Sequence, residues 1–140
     1  MLRITLLIPA LFLTIIHTAQ ADEPPLFQDL TPSTANLNQY QWNMRPLVIF
    51  APSKTDANYI SQMAMLRNNA DQLADRDIVV LSDTTPAENG VLRSQLKPEG
   101  FAVVLVGKDG GIKLRETTPL SSEVLLSTID QMPMRKAGQK

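Results

Sequence analysis

The chain has 140 residues, with 13 basic side chains (Lys and Arg), 14 acidic ones, one histidine and no cysteine. The lack of cysteine excludes thiol–disulfide exchange, thiol peroxidase chemistry and cysteine-ligated metal sites. A net charge of −1 gives no excess of positive charge of the kind that binds nucleic acid or an anionic membrane surface.

The first 21 residues have the organisation of a secretory signal peptide. A basic start at Arg3 precedes an apolar run at 4–16, and Ala19-Gln20-Ala21 is a small-x-small cleavage signature. The run is shorter than the roughly 20 residues that a membrane span needs, so a cleaved signal is favoured over an uncleaved anchor. Cleavage before Asp22 removes the only histidine, His17, and lowers the basic count from 13 to 12. We therefore expect a periplasmic or secreted protein that has no membrane attachment after cleavage.

The segment that follows lacks the periodicity of a helix or a strand. Residues 22–38 are rich in Pro, Thr, Asn and Asp, which predicts a mobile or loosely docked lead-in. Order is expected to begin near Leu37, with Tyr40 and the lone Trp42 as anchors. The predicted organisation is a signal peptide at 1–21, a lead-in at 22–38, a globular domain at 39–135 and a polar tail at 136–140.

The first half of the predicted domain reads as strand, helix, strand. A continuous apolar run between Pro46 and Pro52 is typical of a strand that is buried on both faces. Ser53-x-x-Asp56 is a helix start signal, and apolar residues at helical spacing predict a helix to about Asp75. A second buried strand is predicted at 77–81.

The second half contains shorter elements. In chain order we predict a loop at 83–90, a short helix at 91–96, a strand at 101–106, a tight turn at 107–111, a half-exposed strand at 112–116, and a last helix that Pro119 and Ser121 open and Pro133 ends. The order β-α-β-(short α)-β-β-α predicts an α/β fold in which helices cover a central mixed sheet. Its parallel strands and antiparallel C-terminal hairpin are the arrangement of the thioredoxin-like fold.

Four blocks of the sequence resemble one family: Arg45–Pro52, Arg76–Leu81, Gly107–Arg115 and Ile129–Arg135. The most specific parts are Gly-Lys-Asp-Gly-Gly at 107–111 and Met-Pro-Met-Arg at 132–135. The family is a thioredoxin-like domain of unknown function found in short exported bacterial proteins. It is related to a domain in animal sushi-repeat and coiled-coil-domain-containing matrix proteins. The resemblance spans Leu37 to Arg135 and implies the fold and export, but it brings no established activity.

The resemblance also indicates what the domain lacks. In redox-active thioredoxins, the strand that matches Val48–Ala51 leads into a Cys-x-x-Cys motif at the start of the next helix. The same place here reads Ser53-Lys54-Thr55-Asp56, and hydroxyl groups cannot carry out thiol–disulfide exchange. The cis-proline that precedes the third strand in those proteins is missing too, since Glu99-Gly100 stand before Phe101. The scaffold is therefore expected to be redox-inactive.

Catalysis without thiols remains as an alternative. Ser53 beside Lys54 fits a Ser-Lys nucleophile pair, but neighbours at a helix start point in different directions, and Ser53 is expected to cap the helix. A hydrolase or other enzyme would use Asp56, Asp77 or Asp130 with a lysine, although no known motif spacing supports this. We predict no catalytic residues and no cofactor.

Methionines offer a possible soft-metal site. Met63/Met65 and Met132/Met134 are Met-x-Met pairs, and thioethers bind copper(I). Residues i and i+2 lie about 200° apart around a helix, so Met63 and Met65 cannot hold one ion together. Met63 is therefore interpreted as a filler of the core, and no metal site is predicted.

A charged surface around the hairpin is the candidate binding site. Its residues are Arg45, Arg76, Lys108, Asp109, Lys113, Arg115, Asp130 and Arg135. Lys108, Lys113 and Arg115 are expected near Arg135, because the last helix of this fold packs beside the closing strands.

Two interpretations of this surface remain open. One is a set of ion pairs that pin the C-terminal segment, with Asp77 and Asp130 as partners for Arg45 and Arg76. The other is a binding site for a carboxylate or phosphate, because arginine offers bidentate geometry for anions. The turn at 107–111 can also present backbone N–H groups to an anion, although a merely connecting turn is favoured. The leading hypothesis is a binding or protein-interaction module whose partner is an exported or periplasmic protein or a small anionic ligand.

Overall fold

The computed structural model describes residues 24–138, so the predicted signal peptide and its cleavage site lie outside the described residues. The elements in chain order are β1 (Phe27–Asp29), β2 (Arg45–Phe50), α1 (Ala57–Asn68), α2 (Ala70–Asp75), β3 (Ile78–Asp83), α3 (Val91–Leu96), β4 (Ala102–Val106), β5 (Ile112–Glu116), α4 (Ser122–Asp130) and α5 (Pro133–Lys136). Within this part of the chain, no helix has the length and apolar character that a membrane crossing requires.

The five strands form one mixed sheet in the order β1-β3-β2-β4-β5. Strands β1, β3 and β2 are parallel, whereas β4 runs antiparallel to β2 and β5 antiparallel to β4. This confirms the predicted mixed sheet and its C-terminal hairpin. Every residue of β2, β3 and β4 is buried, which explains why each of these strands reads as a nearly continuous apolar run.

Each face of the sheet has its own apolar core. On one face, Leu47 and Ile49 of β2 belong to a cluster that includes side chains of α1, α2 and α4. On the other face, Val48 and Phe50 pack with Tyr40 and with the partly buried end of α3. The alternation along β2 follows from the two-residue period of a strand, and helices or loops cover both faces.

The lead-in differs from the expectation. Phe27–Asp29 form β1, which pairs in parallel with Val80–Ser82 and covers one edge of β3. The Leu30 N–H donates to the Ser82 carbonyl at 2.8 Å, so backbone bonds hold this segment. A three-residue strand is too short to show a two-residue period, and backbone pairing leaves no mark on composition. Of the two predicted anchors, Tyr40 is buried, but Trp42 is 60% exposed, so the prediction for Trp42 was wrong.

Three helix boundaries also differ. Asp56, and not Ser53, caps α1, because its carboxylate accepts the Tyr59 N–H at 3.1 Å. The single helix predicted to Asp75 is divided at Asn69, whose side chain donates to the Met65 carbonyl and to the Ser122 hydroxyl, both at 2.8 Å. Pro133 was predicted to end the last helix, yet it begins α5, where its fixed φ and missing N–H suit a first helical position.

Candidate functional site

The parallel strands give the sheet two distinct ends. Strands β2 and β3 begin at the end where β4 finishes, and the turn 107–111 lies there; we call this the hairpin end. At the opposite end, β2 leads into α1; we call this the helix-start end. The position of the missing Cys-x-x-Cys motif and the candidate basic surface are therefore at opposite ends of the sheet.

A cavity of about 280 Å³ opens at the hairpin end. Its basic side consists of Arg45, Lys108 and Lys113, and its apolar wall consists of Trp42 and residues 132–134. Four of the eight predicted surface residues line it, namely Arg45, Lys108, Asp109 and Lys113. The volume lies near the lower limit of typical ligand sites, which suits a small ligand or a single side group of a larger one.

Arg45 is the most deeply buried cation of this cavity. Only 1% of its surface is exposed, although it carries a guanidinium at the first position of β2. Its Nη1 donates to the Arg76 carbonyl at 2.7 Å, whereas its buried Nε has no hydrogen-bond partner among the described residues. Burial lowers the pKa of the Arg45 guanidinium, and the charge of Asp77 opposes this effect only in part. A buried charge without a direct counter-ion is unfavourable, so Arg45 carries a desolvation cost that no carboxylate of the described chain offsets directly.

The two lysines of the cavity already have carboxylate partners. The buried Lys108 places its Nζ 2.8 Å from Asp77 Oδ2. Lys113 Nζ lies 2.7 Å from Asp109 Oδ2 across the hairpin, in a more exposed setting. Hydrogen bonds from Lys113 and from the Gly111 N–H hold the pKa of Asp109 below its ordinary value. Among the three basic residues of the cavity, only Arg45 has no direct carboxylate partner within the described chain.

Trp42 forms an exposed apolar rim of the cavity. Its φ of 67° places a bulky residue in the left-handed region, which costs on the order of 1–3 kcal/mol. A 2.6 Å hydrogen bond from its N–H to the Lys108 carbonyl fixes it beside the hairpin. Our sequence interpretation missed this role because it treated a lone tryptophan as an anchor. Trp42 stands between the polar residues Gln41 and Asn43 and belongs to no apolar periodic pattern. This was the available sequence signal that its side chain is exposed.

Three of the predicted surface residues form a separate ion-pair network. Arg76 binds Asp130 in bidentate fashion through two 2.9 Å contacts, as the sequence interpretation expected. Arg135 joins the same carboxylate at 3.4 Å and reaches Asp75 Oδ2 at 2.7 Å. The bond from Arg76 is the main cause that lowers the pKa of Asp130, and the bond to Asp75 is the main cause that raises the pKa of Arg135. This network attaches α4 and α5 to the end of α2.

Arg115 lies apart from the other predicted residues. It stands on β5 opposite Val104 and lines a separate concavity beside residues 97–102. The contacts seen in residues 24–138 do not join it to Arg135, because β5 carries it away from the turn. The expectation that places it in one group with Arg135 was therefore wrong.

The helix-start end does not assemble the alternative catalytic groups. The Ser53 hydroxyl lies 3.1 Å from the Thr55 hydroxyl, and Asp56 caps α1. Lys54 instead lines a cavity of about 400 Å³ between β1 and α1. Asp56 and the other two candidate carboxylates, Asp77 and Asp130, lie at opposite ends of the sheet.

A buried ion pair that we did not predict occupies the helix-start end. Arg93 binds the Asp83 carboxylate through Nε at 3.0 Å and Nη2 at 3.1 Å. Its Nη2 also contacts the carbonyls of Asp83 and Ala51, and the guanidinium lies 5.3 Å from the centre of the Phe50 ring. Asp83 was assigned to a loop, whereas it is the last residue of β3. No local sequence signal couples it to a side chain of α3.

The hairpin turn connects two strands, as favoured from the sequence. Gly110 has a φ of 86°, which confirms the predicted need for glycine in the turn. Gly107 and Gly110 donate their N–H groups to carbonyls of the turn, and Gly111 donates to Asp109 Oδ1. These three donors are already used, so the site does not rest on a backbone nest.

Three of the methionines in the two Met-x-Met pairs lie in the interior or line the cavity. Met63 lies in the core, which confirms its interpretation as a filler. Met132 and Met134 both line the cavity at the hairpin end. Across residues 24–138, no three His, Cys, Asp or Glu side chains come together as a potential metal site.

The sequence was compared with protein families and with individual known proteins. Residues 36–138 match the family described as Domain of unknown function (DUF4174). Coiled-coil domain-containing protein 80 of Danio rerio is 26% identical over 130 aligned residues, which cover 71% of this chain and 15% of that protein.

Solved structures with a similar fold include peroxiredoxins. The reduced 2-Cys peroxiredoxin of Plasmodium vivax superposes with a TM-score of 0.56 at 14% identity, over 72% of this chain and 84% of that chain. Thioredoxin peroxidase I of Plasmodium yoelii gives a TM-score of 0.54 at 15% identity, over 74% and 81% of the two chains. This likeness confirms the predicted thioredoxin-like fold. At such identities it carries no activity across, and this chain has no cysteine for a peroxidase reaction.

Proposed function

This chain belongs to the family described as Domain of unknown function (DUF4174), and we propose that it is an exported, redox-inactive binding module that recognises an anionic group at the hairpin end of its sheet. The observation that carries the proposal is the buried Arg45 guanidinium. It lines a cavity, its Nε has no hydrogen-bond partner in the described chain, and its charge lacks a direct carboxylate.

The energetics of burial support a ligand for this group. A buried, unpaired N–H costs about 1–3 kcal/mol, and a desolvated charge costs more. Such a group is retained at little net cost when an anion completes its hydrogen bonds. The neighbouring pairs Arg76–Asp130 and Lys108–Asp77 are satisfied within the protein, so they support the walls of the site.

Redox inactivity and export rest on the sequence. The place of the Cys-x-x-Cys motif holds Ser53, Lys54, Thr55 and Asp56, and the nearby strand end is occupied by the Arg93–Asp83 pair. Export is proposed from the signal-like organisation of residues 1–21. N-terminal sequencing of the full chain after expression in a bacterium with a periplasm is expected to begin at Asp22. An unprocessed start at Met1 in the cytoplasmic fraction would contradict export.

Anion binding can be tested by thermal unfolding. The purified protein would be titrated with acetate, sulfate and inorganic phosphate at constant ionic strength. A bound ligand raises stability by about 2.7 kcal/mol when its concentration is 100 times its Kd. We expect at least one anion to raise the Tm of the wild type, and Arg45→Met to abolish that rise.

Arg115→Met is the matched control, because it removes the same charge from outside the cavity. The control is expected to keep the response to the anion. Equal responses in wild type and Arg45→Met, or no response of the wild type to any anion, including the carboxylates described below, would refute the proposed site.

A further inference from the structure

The chemistry of the cavity also restricts the class of ligand. Resting on the proposed function, we infer that the cavity binds a monocarboxylate that carries one apolar group of about ring size. The carboxylate binds Arg45, and the apolar group lies against Trp42, Met132 and Met134.

Charge balance favours a single negative charge. The cavity contains three cations, Arg45, Lys108 and Lys113. Two of them are neutralised by Asp77 and Asp109 at 2.8 and 2.7 Å. One positive charge is left over, which matches a carboxylate, whereas a phosphate group at neutral pH carries about −1.5 to −2. Phosphate would therefore bring excess negative charge beside two aspartates.

The donor geometry also favours a planar acceptor. Arg45 uses Nη1 for the Arg76 carbonyl at 2.7 Å, and its unpaired Nε is covered by the surrounding protein, so a carboxylate reaches the Nε side of the guanidinium when the groups that cover it move aside. Two oxygens of a carboxylate can face that side in the fork geometry that arginine provides. The protein itself shows this arrangement at Arg76, whose Nε and Nη2 bind the two oxygens of Asp130 at 2.9 Å each.

The apolar wall of the cavity determines the chemistry and size of the part of the ligand beyond its carboxylate. Trp42 is 60% exposed and has a strained backbone, and the buried Met132 and half-buried Met134 line the same cavity. Methionine side chains adapt to irregular apolar groups and contact aromatic rings favourably. A cavity of about 150 Å³ in another protein accommodates benzene, so 280 Å³ has room for a carboxylate with one ring or a short branched chain.

The same chemistry has two possible sources. A free organic acid supplies it, and so does the C-terminus of a protein that ends in an apolar residue. In the second case the terminal carboxylate binds Arg45 and the last side chain lies against Trp42. Asp109 and Trp42, which both line the cavity, are exposed to solvent, so the cavity is accessible from outside to both sources.

Trp42 provides a direct readout, because it is the only tryptophan of the chain and it lines the cavity. Its fluorescence would be followed during titration of the full protein with butyrate, pentanoate, hexanoate, benzoate, inorganic phosphate and hexanol. We expect binding of the acids to tighten about fourfold per added methylene, the factor that corresponds to burial of one CH₂ group. Hexanol lacks the charge and phosphate lacks the apolar part, so both are expected to bind at least tenfold more weakly than hexanoate.

Peptides distinguish the two sources. Gly-Gly-Leu with a free carboxylate is compared with its C-terminally amidated form. Tighter binding of the free peptide than of hexanoate would assign the site to protein C-termini, and weaker binding would assign it to small organic acids. Equal binding of the amidated peptide would overturn the requirement for a carboxylate.

Two variants separate failure of this inference from failure of the proposed function. Arg45→Met is expected to lose binding of all the acids. Trp42→Ala, measured by calorimetry, is expected to bind the acids with affinities that no longer depend on their chain length. If phosphate binds through Arg45 as tightly as hexanoate, the ligand class is wrong but the anion site stands. If no acid or phosphate binds the wild type, both the inference and the proposed function fail.

Discussion

The buried Arg45 and the partly buried Arg93 should respond in opposite ways to the same substitution. Arg93 has a bidentate carboxylate partner in Asp83, whereas Arg45 has a backbone carbonyl and an unpaired Nε. We predict that Arg45→Met leaves the free energy of unfolding nearly unchanged or raises it, and that Arg93→Met lowers it strongly. Methionine keeps much of the aliphatic volume at both positions.

The magnitudes follow from the partners that each change leaves behind. At Arg45, the lost charged hydrogen bond to the Arg76 carbonyl is worth about 1.5–3 kcal/mol. The removed orphan N–H recovers about 1–3 kcal/mol, and relief of the desolvated charge adds to this. The two hydrogen-bonding effects together span a loss of about 2 to a gain of about 1.5 kcal/mol, and relief of the desolvated charge shifts this range upwards. At Arg93, an unpaired Asp83 carboxylate remains in a buried site, and the expected loss is about 3–5 kcal/mol.

Urea unfolding followed by far-UV circular dichroism measures both variants in the ligand-free protein. Arg115→Met is the control for loss of a surface charge and should change stability by less than about 0.5 kcal/mol. If Arg45→Met lost about 3 kcal/mol or more, as Arg93→Met should, the charge of Arg45 would be satisfied within the fold. The reasoning that assigns it to a ligand would then be refuted.

Two further predictions concern other polar contacts. Because the pKa of Asp130 is lowered in the folded state, mainly by Arg76, its carboxylate stabilises the fold above about pH 4, and this contribution is lost as the pH falls through the folded-state pKa. Urea midpoints measured from pH 6 to pH 2 should therefore fall less in Asp130→Asn than in the wild type, and parallel profiles would contradict this. Gln62→Leu removes the buried bonds to the Leu120 carbonyl and N–H at 3.0 and 2.6 Å, so we expect a loss of about 2–5 kcal/mol in urea unfolding. A loss below about 1 kcal/mol would show that these backbone groups find other partners.

The central sheet was predictable because its signals are local. Strands β2, β3 and β4 are each buried on both faces and therefore carry uninterrupted apolar runs. The turn at Gly110 needs a positive φ, and glycine at that position indicates it. Strand β1 has no comparable signal, since its three residues are held by backbone pairing to a strand more than 50 positions further along the chain.

The candidate site was predictable only in its composition. Basic residues around the turn indicated an anion site or ion pairs, and the structure shows ion pairs together with one buried arginine, Arg45, that has no carboxylate partner in the described chain. Their allocation depends on contacts between distant positions, such as Lys108 with Asp77 and Arg45 with the Arg76 carbonyl. Sequence spacing does not determine which of several nearby cations is left without a carboxylate. For the same reason, Arg115 could not be separated from the group until the direction of β5 was known.

The distribution of charge over the two ends of the sheet links stability to binding. At the helix-start end, the Arg93–Asp83 pair is neutral within the protein, so an anion gains little there. At the hairpin end, the charge of Arg45 is expected to destabilise the free protein, and a bound carboxylate would remove that penalty on association. In the proposed complex, part of the affinity would therefore come from relief of a cost that the free fold already carries. A larger gain in the stability of free Arg45→Met implies a larger loss of ligand affinity in the same variant, because both quantities measure the same uncompensated guanidinium.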